Sequence, residues 1–469
     1  MIYLIRQNSF STQQLNQPAP IQPPLILKSI QAQLNQETML EDFEVAPSNK
    51  AHLLKKIKSD HFPILVFEIS LLNLSATQNF ITECSEHSHA MFIGYSNDIL
   101  ISDKNFSYLQ TSFHYLIQGD PELQIKHIIQ KNRKKAPDAR GTYLEGEIKD
   151  LDELYFPIWS NHELNQYQFI YPLAVNKNVY MGYLSTSRRY FCDTLHQTNS
   201  KKWKTRSINN IISEIKNLKK LGVNTIFFTD DNIVNSKEHF ICLCEEIIKE
   251  KLDIHWIASA GVDGVDQKSL ALMKQSGCVL LVFEVESGST RMIDLLEKTP
   301  LRASQWISKT RSSFKICNQL KIASCAKFII GSPTETVNEI EQSIILAQEI
   351  KPSMIKIDFF MPYPNSPYYK KQLRRLSSEI LTRSHHYKNI NFILSNISGP
   401  EIYRLKKRFY KKVMFRPFYL LKHFTSNFFF YFLNPKIFQK FSKGIVKILI
   451  ASNKKEMKSH SGELIALNN

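Results

Sequence analysis

Short apolar runs that alternate with helical patterns constrain the fold of this chain more than any other feature of its sequence. Between residues 179 and 360, the residues that separate these runs show the 3.6-residue apolar period of a helix, most clearly from Ile208 to Leu221. Strands that alternate with helices form parallel sheets, so this stretch predicts a partial (β/α)₆ TIM-like barrel with its function at the carboxyl ends of the strands. The predicted strands are Val179–Leu184, Thr225–Phe228, Ile254–Ser259, Val279–Glu284, Ile322–Ile330 and Met354–Phe360.

The N-terminal part repeats this alternation and predicts a separate domain. Its strand-like runs are Met1–Ile5, Ile64–Ile69, Ala90–Gly94 and His114–Ile117. The sequence therefore predicts an α/β protein that begins with a doubly wound domain. Its predicted parts are the doubly wound domain over residues 1–135, a polar connector over 136–175, the barrel over 176–385 and a basic helical region over 386–469.

Positive charge is concentrated at the C-terminus. The formal net charge is +17, and residues 401–469 hold 15 lysines and arginines but only three acids. A basic segment favours anionic partners. Apolar residues from Ile437 to Ile448 recur at helical spacing, with lysines on another face at positions 436, 440, 443 and 447. Residues 428–450 therefore predict an interfacial helix on an anionic membrane, or alternatively a helix packed on the barrel with a solvated lysine face.

Targeting signals are not evident in this sequence. Arg6 interrupts the apolar start, and the apolar run Phe428–Leu433 is far shorter than a membrane span of about 20 residues. Seven cysteines without framework spacing fit a reducing compartment. We therefore expect a cytoplasmic protein, peripheral on the inner membrane face through its tail. No zinc finger or RNA-binding motif occurs, so no nucleic-acid partner is expected.

Ordered motifs from about residue 20 to residue 420 resemble one protein family. The barrel motifs are Glu286-Ser287-Gly288-Ser289, Gly331-x-Pro333-x-Glu335-Thr336 and the PYPNSP turn at 362–367. Upstream, QGDPE at 118–122 and KDLDELYFP at 149–157 resemble a cobalamin-domain turn and the connector that follows it. Together these motifs resemble the radical S-adenosylmethionine (radical SAM) enzymes of the magnesium-protoporphyrin IX monomethyl ester cyclase group. The resemblance implies that the N-terminal domain is cobalamin-binding-like.

The same resemblance implies an iron–sulfur cluster whose cysteines this chain lacks. The family holds a [4Fe–4S] cluster with three thiolates in a CxxxCxxC loop after a Ser-Arg pair, here Ser187-Arg188. In register with that pair the ligand positions hold Tyr190, Thr194 and Gln197, and a shift of two residues gives Cys192, His196 and Asn199. Neither register supplies three thiolates, so a [4Fe–4S] cluster is not expected. Cys192 is either a free buried thiol or a residual metal ligand.

Residues at the predicted strand ends remain candidates for binding S-adenosylmethionine. The resemblance implies an ammonium or ribose contact at Asp230 and Asp231, which would otherwise cap a helix. Glu286 and Ser287, followed by Gly288, would accept hydrogen bonds from ribose hydroxyls or would form only a structural turn. The turn of Gly331 and Pro333 would approach adenine through its backbone, or would only reverse the chain.

Two regions depart from the family pattern. Ser70, Gly94 and Gly119 mark turns of the cobalamin-like domain, but Tyr95 stands where a second glycine is usual and would block the corrin tail. No Asp-x-His-x-x-Gly motif supplies a lower ligand, so weak or absent cobalamin binding is expected. In the barrel, the family commonly has arginine at the position of Gly261 and glycine at the position of Glu284.

These features leave two functions open. The first is a non-catalytic or accessory subunit, a scaffold in the biosynthesis of lipids, tetrapyrroles or natural products, with an intact radical SAM paralogue as its partner. The second is an active methyltransferase or cyclase with an unusual or partial iron–sulfur site. The first is favoured, because without a cluster the barrel has no electron source to cleave a sulfonium bond, and binding alone lowers no barrier. The sequence assigns no catalytic residue and no metal ligand.

Overall fold

The chain divides into two compact units. The first contains Met1–Tyr167, Ser187–Ser207 and Pro362–Lys388, and the second contains Gln168–Thr186, Ile208–Met361 and Asn389–Asn469. The computed structural model describes residues 1–8, 21–34, 36–70, 73–85, 89–97, 108–132, 135–168, 179–189, 203–297, 299, 301–360, 395 and 397–414.

The first unit is a six-stranded parallel sheet with helices on both faces. The strand order is β2-β1-β3-β4-β5-β6, so the order reverses between β1 and β3, as in doubly wound folds. One apolar cluster includes Phe67, Phe80 and Phe113, and the other includes Val66 and Ile125. The strands are β1 (Ile2–Arg6), β2 (Thr38–Asp42), β3 (Ile64–Glu68), β4 (Met91–Ser96), β5 (Tyr115–Gly119) and β6 (Thr142–Gly146). The helices are α1 (Leu25–Gln33), α2 (Lys50–Ser59), α3 (Leu74–Ser85), α4 (Leu109–Ser112), α5 (Glu122–Lys131) and α6 (Asn161–Gln166).

Several elements of the first unit were not predicted from the sequence, among them two edge strands and one short helix. The prediction of an irregular connector is wrong at Thr142–Gly146, which forms β6, and at Asn161–Gln166, which forms α6 behind a capping box from Ser160. Strand β2 was also missed. Both strands are edges of the sheet, where polar residues are tolerated, so neither has the continuous apolar run of a central strand.

The second unit is a parallel sheet of six strands wrapped by helices. Its strand order is β14-β13-β12-β11-β10-β7, and β7 and β14 are edges in the described part of the chain, which confirms the predicted partial barrel. The strands are β7 (Met181–Leu184), β10 (Thr225–Phe228), β11 (His255–Ala260), β12 (Cys278–Glu286), β13 (Ala323–Ile330) and β14 (Met354–Phe359). The helices are α7 (Ile208–Lys220), α8 (Lys237–Lys249), α9 (Gln267–Gln275), α10 (Thr290–Leu296), α11 (Ala303–Gln319), α12 (Val337–Ile350) and α13 (Gly399–Met414).

The alternation of side chains along each strand gives the sheet an outer and an inner face. Trp256, Phe283 and Phe328 pack against aromatic residues of α8, α11 and α13 respectively, so they lie on the outer, helix-covered face. Since neighbouring residues of a strand point to opposite faces, Glu284 and Lys327 lie on the inner face. The inner face therefore has charged side chains on β12 and β13.

Helix α13 covers the outer edge strand. Phe409 packs on Phe328, and the Tyr410 hydroxyl accepts a hydrogen bond from the Ile357 N–H at 3.2 Å. This contact satisfies a backbone donor of β14 that would otherwise be open to another strand. No helix within the described ranges is long and apolar enough to cross a membrane.

Candidate functional site

The Ser-Arg pair begins an antiparallel hairpin of β8 (Ser187–Arg189) and β9 (Trp203–Thr205) that belongs to the first unit. The sequence had placed these residues with the barrel. Between the two strands, Tyr190, Cys192, Thr194, His196 and Gln197 lie outside the described residues, so their proposed roles stay predictions. Within the described part of the chain, no group of three or more histidine, cysteine or acidic residues is placed to hold a metal ion.

Arginine and lysine side chains attach this hairpin to the end of β5. Arg188 Nη2 lies 2.6 Å from Glu122 Oε1, and Arg188 Nη1 lies 3.4 Å from Asp120 Oδ1. Lys204, opposite Arg188 in the hairpin, lies 3.4 Å from Asp120 Oδ2. Burial opposes the charge of Arg188, but Glu122 and Asp120 outweigh it and raise its pKa. The acids of the cobalamin-like turn at 118–122 are therefore paired with the first unit's own cations.

Gly94 and Gly119 lie directly against other residues of the cobalamin-like domain. A Cβ added at Gly94 would lie 2.9 Å from Phe113 and would also clash with Ile69. Gly119 has a φ of +94°, and a Cβ there would lie 2.5 Å from the Gly146 carbonyl oxygen on β6. Both glycines thus permit close packing inside the domain.

The remaining cobalamin-like positions are also used by the domain itself. Tyr95 is 1% exposed and packs in the apolar core. Ser70 donates its N–H to Asn73 Oδ1 at 2.8 Å and accepts the Asn73 N–H on its hydroxyl, which shapes the turn before α3. These residues therefore serve the packing and the turns of the domain itself.

Asp230 connects two strands of the barrel. Its carboxylate accepts hydrogen bonds from the Thr186 N–H and the Thr186 hydroxyl, each at 2.9 Å. Asp230 is 6% exposed and therefore ties the end of β10 to the end of β7; it is not the helix cap that the sequence offered as an alternative. Asp231, the next residue, is exposed.

The ESGS turn has a buried carboxylate and two residues that serve packing. Glu286 ends β12, is 2% exposed and has a φ of +69°, an uncommon conformation that marks a constrained position. The Ser287 hydroxyl contacts the Ser343 hydroxyl at 3.1 Å. A Cβ at Gly288 would lie 2.7 Å from Ser343 Cα. Ser287 and Gly288 therefore hold the turn against α12.

The second turn follows β13. Gly331 has a φ of +81°, and a Cβ there would meet only Ile402, at 3.1 Å. Glu335, which the sequence reading did not propose as a site residue, accepts the Gly331 N–H at 2.6 Å and the Ser332 N–H at 3.2 Å. Burial raises the pKa of Glu335 to about 7. Pro333 is buried in this turn.

An arginine–glutamate pair joins the two turns. Arg291 Nε and Nη2 donate to the two carboxylate oxygens of Glu339, each at 2.7 Å. Arg291 also donates to the Thr334 carbonyl, and Ser289 donates to Glu339 at 3.1 Å. The bond from Arg291 holds the pKa of Glu339 at about 2, so the pair is ionised at neutral pH. The ends of β12 and β13 thus form one braced platform.

Below this platform, the inner face has an ion pair. Lys327 Nζ lies 2.8 Å from Glu284 Oε1, and the strand register places the two residues side by side. The sequence reading noted Glu284 only as a departure from the family pattern. Lys327 was missed, although a lysine within an otherwise apolar strand was a signal for it.

Comparison with known proteins agrees with this geometry. Residues 190–347 match the family model of the Radical SAM superfamily. The uncharacterized methyltransferase PH0819 of Pyrococcus horikoshii is 26% identical over 310 residues, which are 64% of each chain. The anaerobic magnesium-protoporphyrin IX monomethyl ester cyclase of Rubrivivax gelatinosus is 24% identical over 242 residues, 50% of this chain and 42% of the relative. This chain thus spans less than two thirds of either relative.

A solved structure shares the fold. The radical S-adenosylmethionine methyltransferase TsrM from Kitasatospora setae, solved with cobalamin and a [4Fe–4S] cluster bound, superposes with a TM-score of 0.57 at 13% identity. The match covers 78% of this chain and 76% of that one. This chain therefore contains a radical SAM domain and is a homologue of the superfamily's methyltransferases and magnesium-protoporphyrin IX monomethyl ester cyclases.

Proposed function

We propose that this chain is an accessory protein of the radical SAM family that binds S-adenosylmethionine without cleaving it. The observation that carries the proposal is a contrast between two parts of the site. The platform of β12 and β13 is built and braced, whereas the loop position for the cluster offers Tyr190, Thr194 and Gln197. A phenol, an alcohol and an amide do not fit a cluster that needs thiolates.

The platform residues fit S-adenosylmethionine. The Glu286 carboxylate is suited to accept hydrogen bonds from two ribose hydroxyls. An added Cβ at Gly331 would meet only Ile402, and the glycine keeps its turn free of a side chain where a flat base would approach. Bound S-adenosylmethionine would supply a nucleoside and a sulfonium. The chain's own residues would orient it, with Glu335 holding the Gly331 turn in shape.

The second function is an active methyltransferase or cyclase with an unusual iron–sulfur site. Its support is the shifted register of Cys192, His196 and Asn199, which keeps the family spacing with one thiolate. A single thiolate with one imidazole leaves the cluster short of ligands, so we favour the accessory role. The biosynthesis that it serves would involve a lipid, a tetrapyrrole or another natural product, beside an intact radical SAM paralogue.

We also propose that the protein is cytoplasmic and contacts an anionic membrane through residues 428–450, which lie outside the described residues. Helix α13 supports this proposal, because it begins the basic region and exposes Arg404, Arg408 and Lys411 on the side away from its buried residues. These positions follow the helical period, so the charges share one stripe. Such a stripe attracts anionic surfaces.

The proposed function is tested by calorimetric titration of iron-free protein with S-adenosylmethionine in the presence of a chelator. We expect one molecule bound per chain, and binding about tenfold weaker in Glu286→Gln, which loses a charge-assisted hydrogen bond. The matched control is Glu349→Gln, in the exposed pair with Arg311 at 2.9 Å, which should bind normally.

A second measurement separates the two functions. After incubation with S-adenosylmethionine and dithionite, the accessory role predicts no 5′-deoxyadenosine above the level of a protein-free sample. Absence of binding by the iron-free protein, or catalytic formation of 5′-deoxyadenosine, would refute the accessory role.

A further inference from the structure

The inner face of the second unit concentrates charge on three neighbouring strands. Glu284 and Lys327 are 38% and 29% exposed, and their charged atoms lie 2.8 Å apart. Phe283 and Val285, on either side of Glu284, are fully buried on the outer face. The pair therefore lies on the inner face and is still reached by solvent.

A second set of charges lies beside this pair. Lys356 is next to Lys327 in the strand register, and its ammonium lies 3.2 Å from the Asp358 carboxylate. Burial opposes the charge of Lys327, but Glu284, Glu286 and Asp358 outweigh it and raise its pKa. Lys327 is therefore a cation at neutral pH.

An ion pair that solvent still reaches usually contributes little to the stability of a fold. The rest of β12 and β13 is largely apolar, as in Leu280, Val282 and Ile329, so an apolar pair would match its surroundings. A carboxylate and an ammonium that are side by side and partly exposed can instead take a ligand that has both opposite charges.

The class of ligand that matches this carboxylate and ammonium is an α-amino acid. Its ammonium would pair with Glu284 and its carboxylate with Lys327, so each charge would meet its opposite through charge-assisted hydrogen bonds. Glu286, the platform carboxylate, is two residues further along β12, beyond a shift in the register with β13. Glu284 and Glu286 both lie close enough to Lys327 to raise its pKa, so the ion pair and the platform are neighbours.

We propose that Glu284 and Lys327 bind the zwitterionic α-amino-acid group of the ligand whose nucleoside lies on the platform. This inference rests on the proposed function, because S-adenosylmethionine is the ligand that joins those two parts. It assigns the amino-acid end to protein side chains.

The wild-type chain provides the first test. Iron-free protein is titrated with S-adenosylmethionine, with decarboxylated S-adenosylmethionine, which lacks the carboxylate, and with 5′-methylthioadenosine, which lacks the whole amino-acid group. Since hydrogen bonds to charged groups are among the strongest in proteins, we expect each truncated ligand to bind at least about tenfold more weakly than S-adenosylmethionine.

Two variants locate the effect. Glu284→Gln and Lys327→Met should weaken the binding of S-adenosylmethionine by about tenfold or more and leave the binding of 5′-methylthioadenosine unchanged. Glu250→Gln, in the exposed pair with Lys216 at 2.9 Å, is the matched control and should change neither ligand. Thermal melting of each variant reports whether it is folded.

The outcomes separate the two proposals. If the wild type binds all three ligands equally, or if the folded variants weaken all ligands equally, the inference is wrong while the proposed function stands. If the wild type binds none of them, both fail. If neither variant folds, the wild-type comparison with the truncated ligands still decides.

Discussion

At Gly94, the backbone of β4 passes against the side chains of Ile69 and Phe113. The sequence motif assigned this glycine to a cobalamin turn, whereas its neighbouring side chains indicate that it permits close packing inside the domain. Gly94→Ala should therefore lower the free energy of unfolding by about 1–3 kcal/mol, the usual cost of overpacking. Urea unfolding followed by circular dichroism measures it.

A second variant makes the Gly94 prediction specific. Ile69→Val removes the methyl group that the new Cβ would meet, so the double variant should recover part of the loss. An unchanged or increased stability in Gly94→Ala alone would mean that the space is open, as a cofactor site requires.

Other residues show where the sequence was a limited guide. The motifs placed Glu286 and Gly331 at strand ends correctly, because strand periodicity and turn residues are local signals. The hydrogen bonds of Asp230 and Ser287 were harder to predict, since their partners Thr186 and Ser343 are 44 and 56 residues away in the chain. Only the folded structure shows that these polar atoms are already engaged.

Among the elements, central strands were predictable and edges were not. β12 and β13 are long and apolar, and the sequence placed both within a few residues. β2 and β6 pair on one side only, and their polar residues interrupt the apolar run by which a strand is recognised in the sequence. The hairpin of β8 and β9 was missed because charge, more than apolar burial, attaches it, through Arg188 and Lys204.

The basic C-terminal elements lead to a prediction about membrane binding. The protein should co-sediment with anionic vesicles and much less with neutral ones, since each surface-proximal lysine contributes about 1 kcal/mol against an anionic leaflet. Glutamine at positions 436, 440, 443 and 447 should abolish the binding and leave the fold intact, and raised salt should weaken it. If the wild-type protein does not co-sediment with anionic vesicles, the membrane proposal is wrong.

At the scale of the whole molecule, the chain has two folded units, and its residues 190–197 lack the three cysteines that radical SAM enzymes use to hold a cluster. The platform of β12 and β13 is braced by Arg291 and Glu339, and the cobalamin-like glycines serve the first unit's own packing. A scaffold can be kept while its reactive group is lost, because fold stability depends on packing and the reaction depends on a few ligands. We propose that this chain has kept the scaffold and lost the cluster.

Iron and sulfide analysis of the anaerobically reconstituted protein tests that claim most directly. We predict well below one [4Fe–4S] cluster per wild-type chain, because Tyr190, Thr194 and Gln197 supply no thiolate. The triple variant Tyr190→Cys, Thr194→Cys and Gln197→Cys should gain a cluster with its broad absorbance. A stoichiometric cluster in the wild-type protein, lost on Cys192→Ala, would contradict the account.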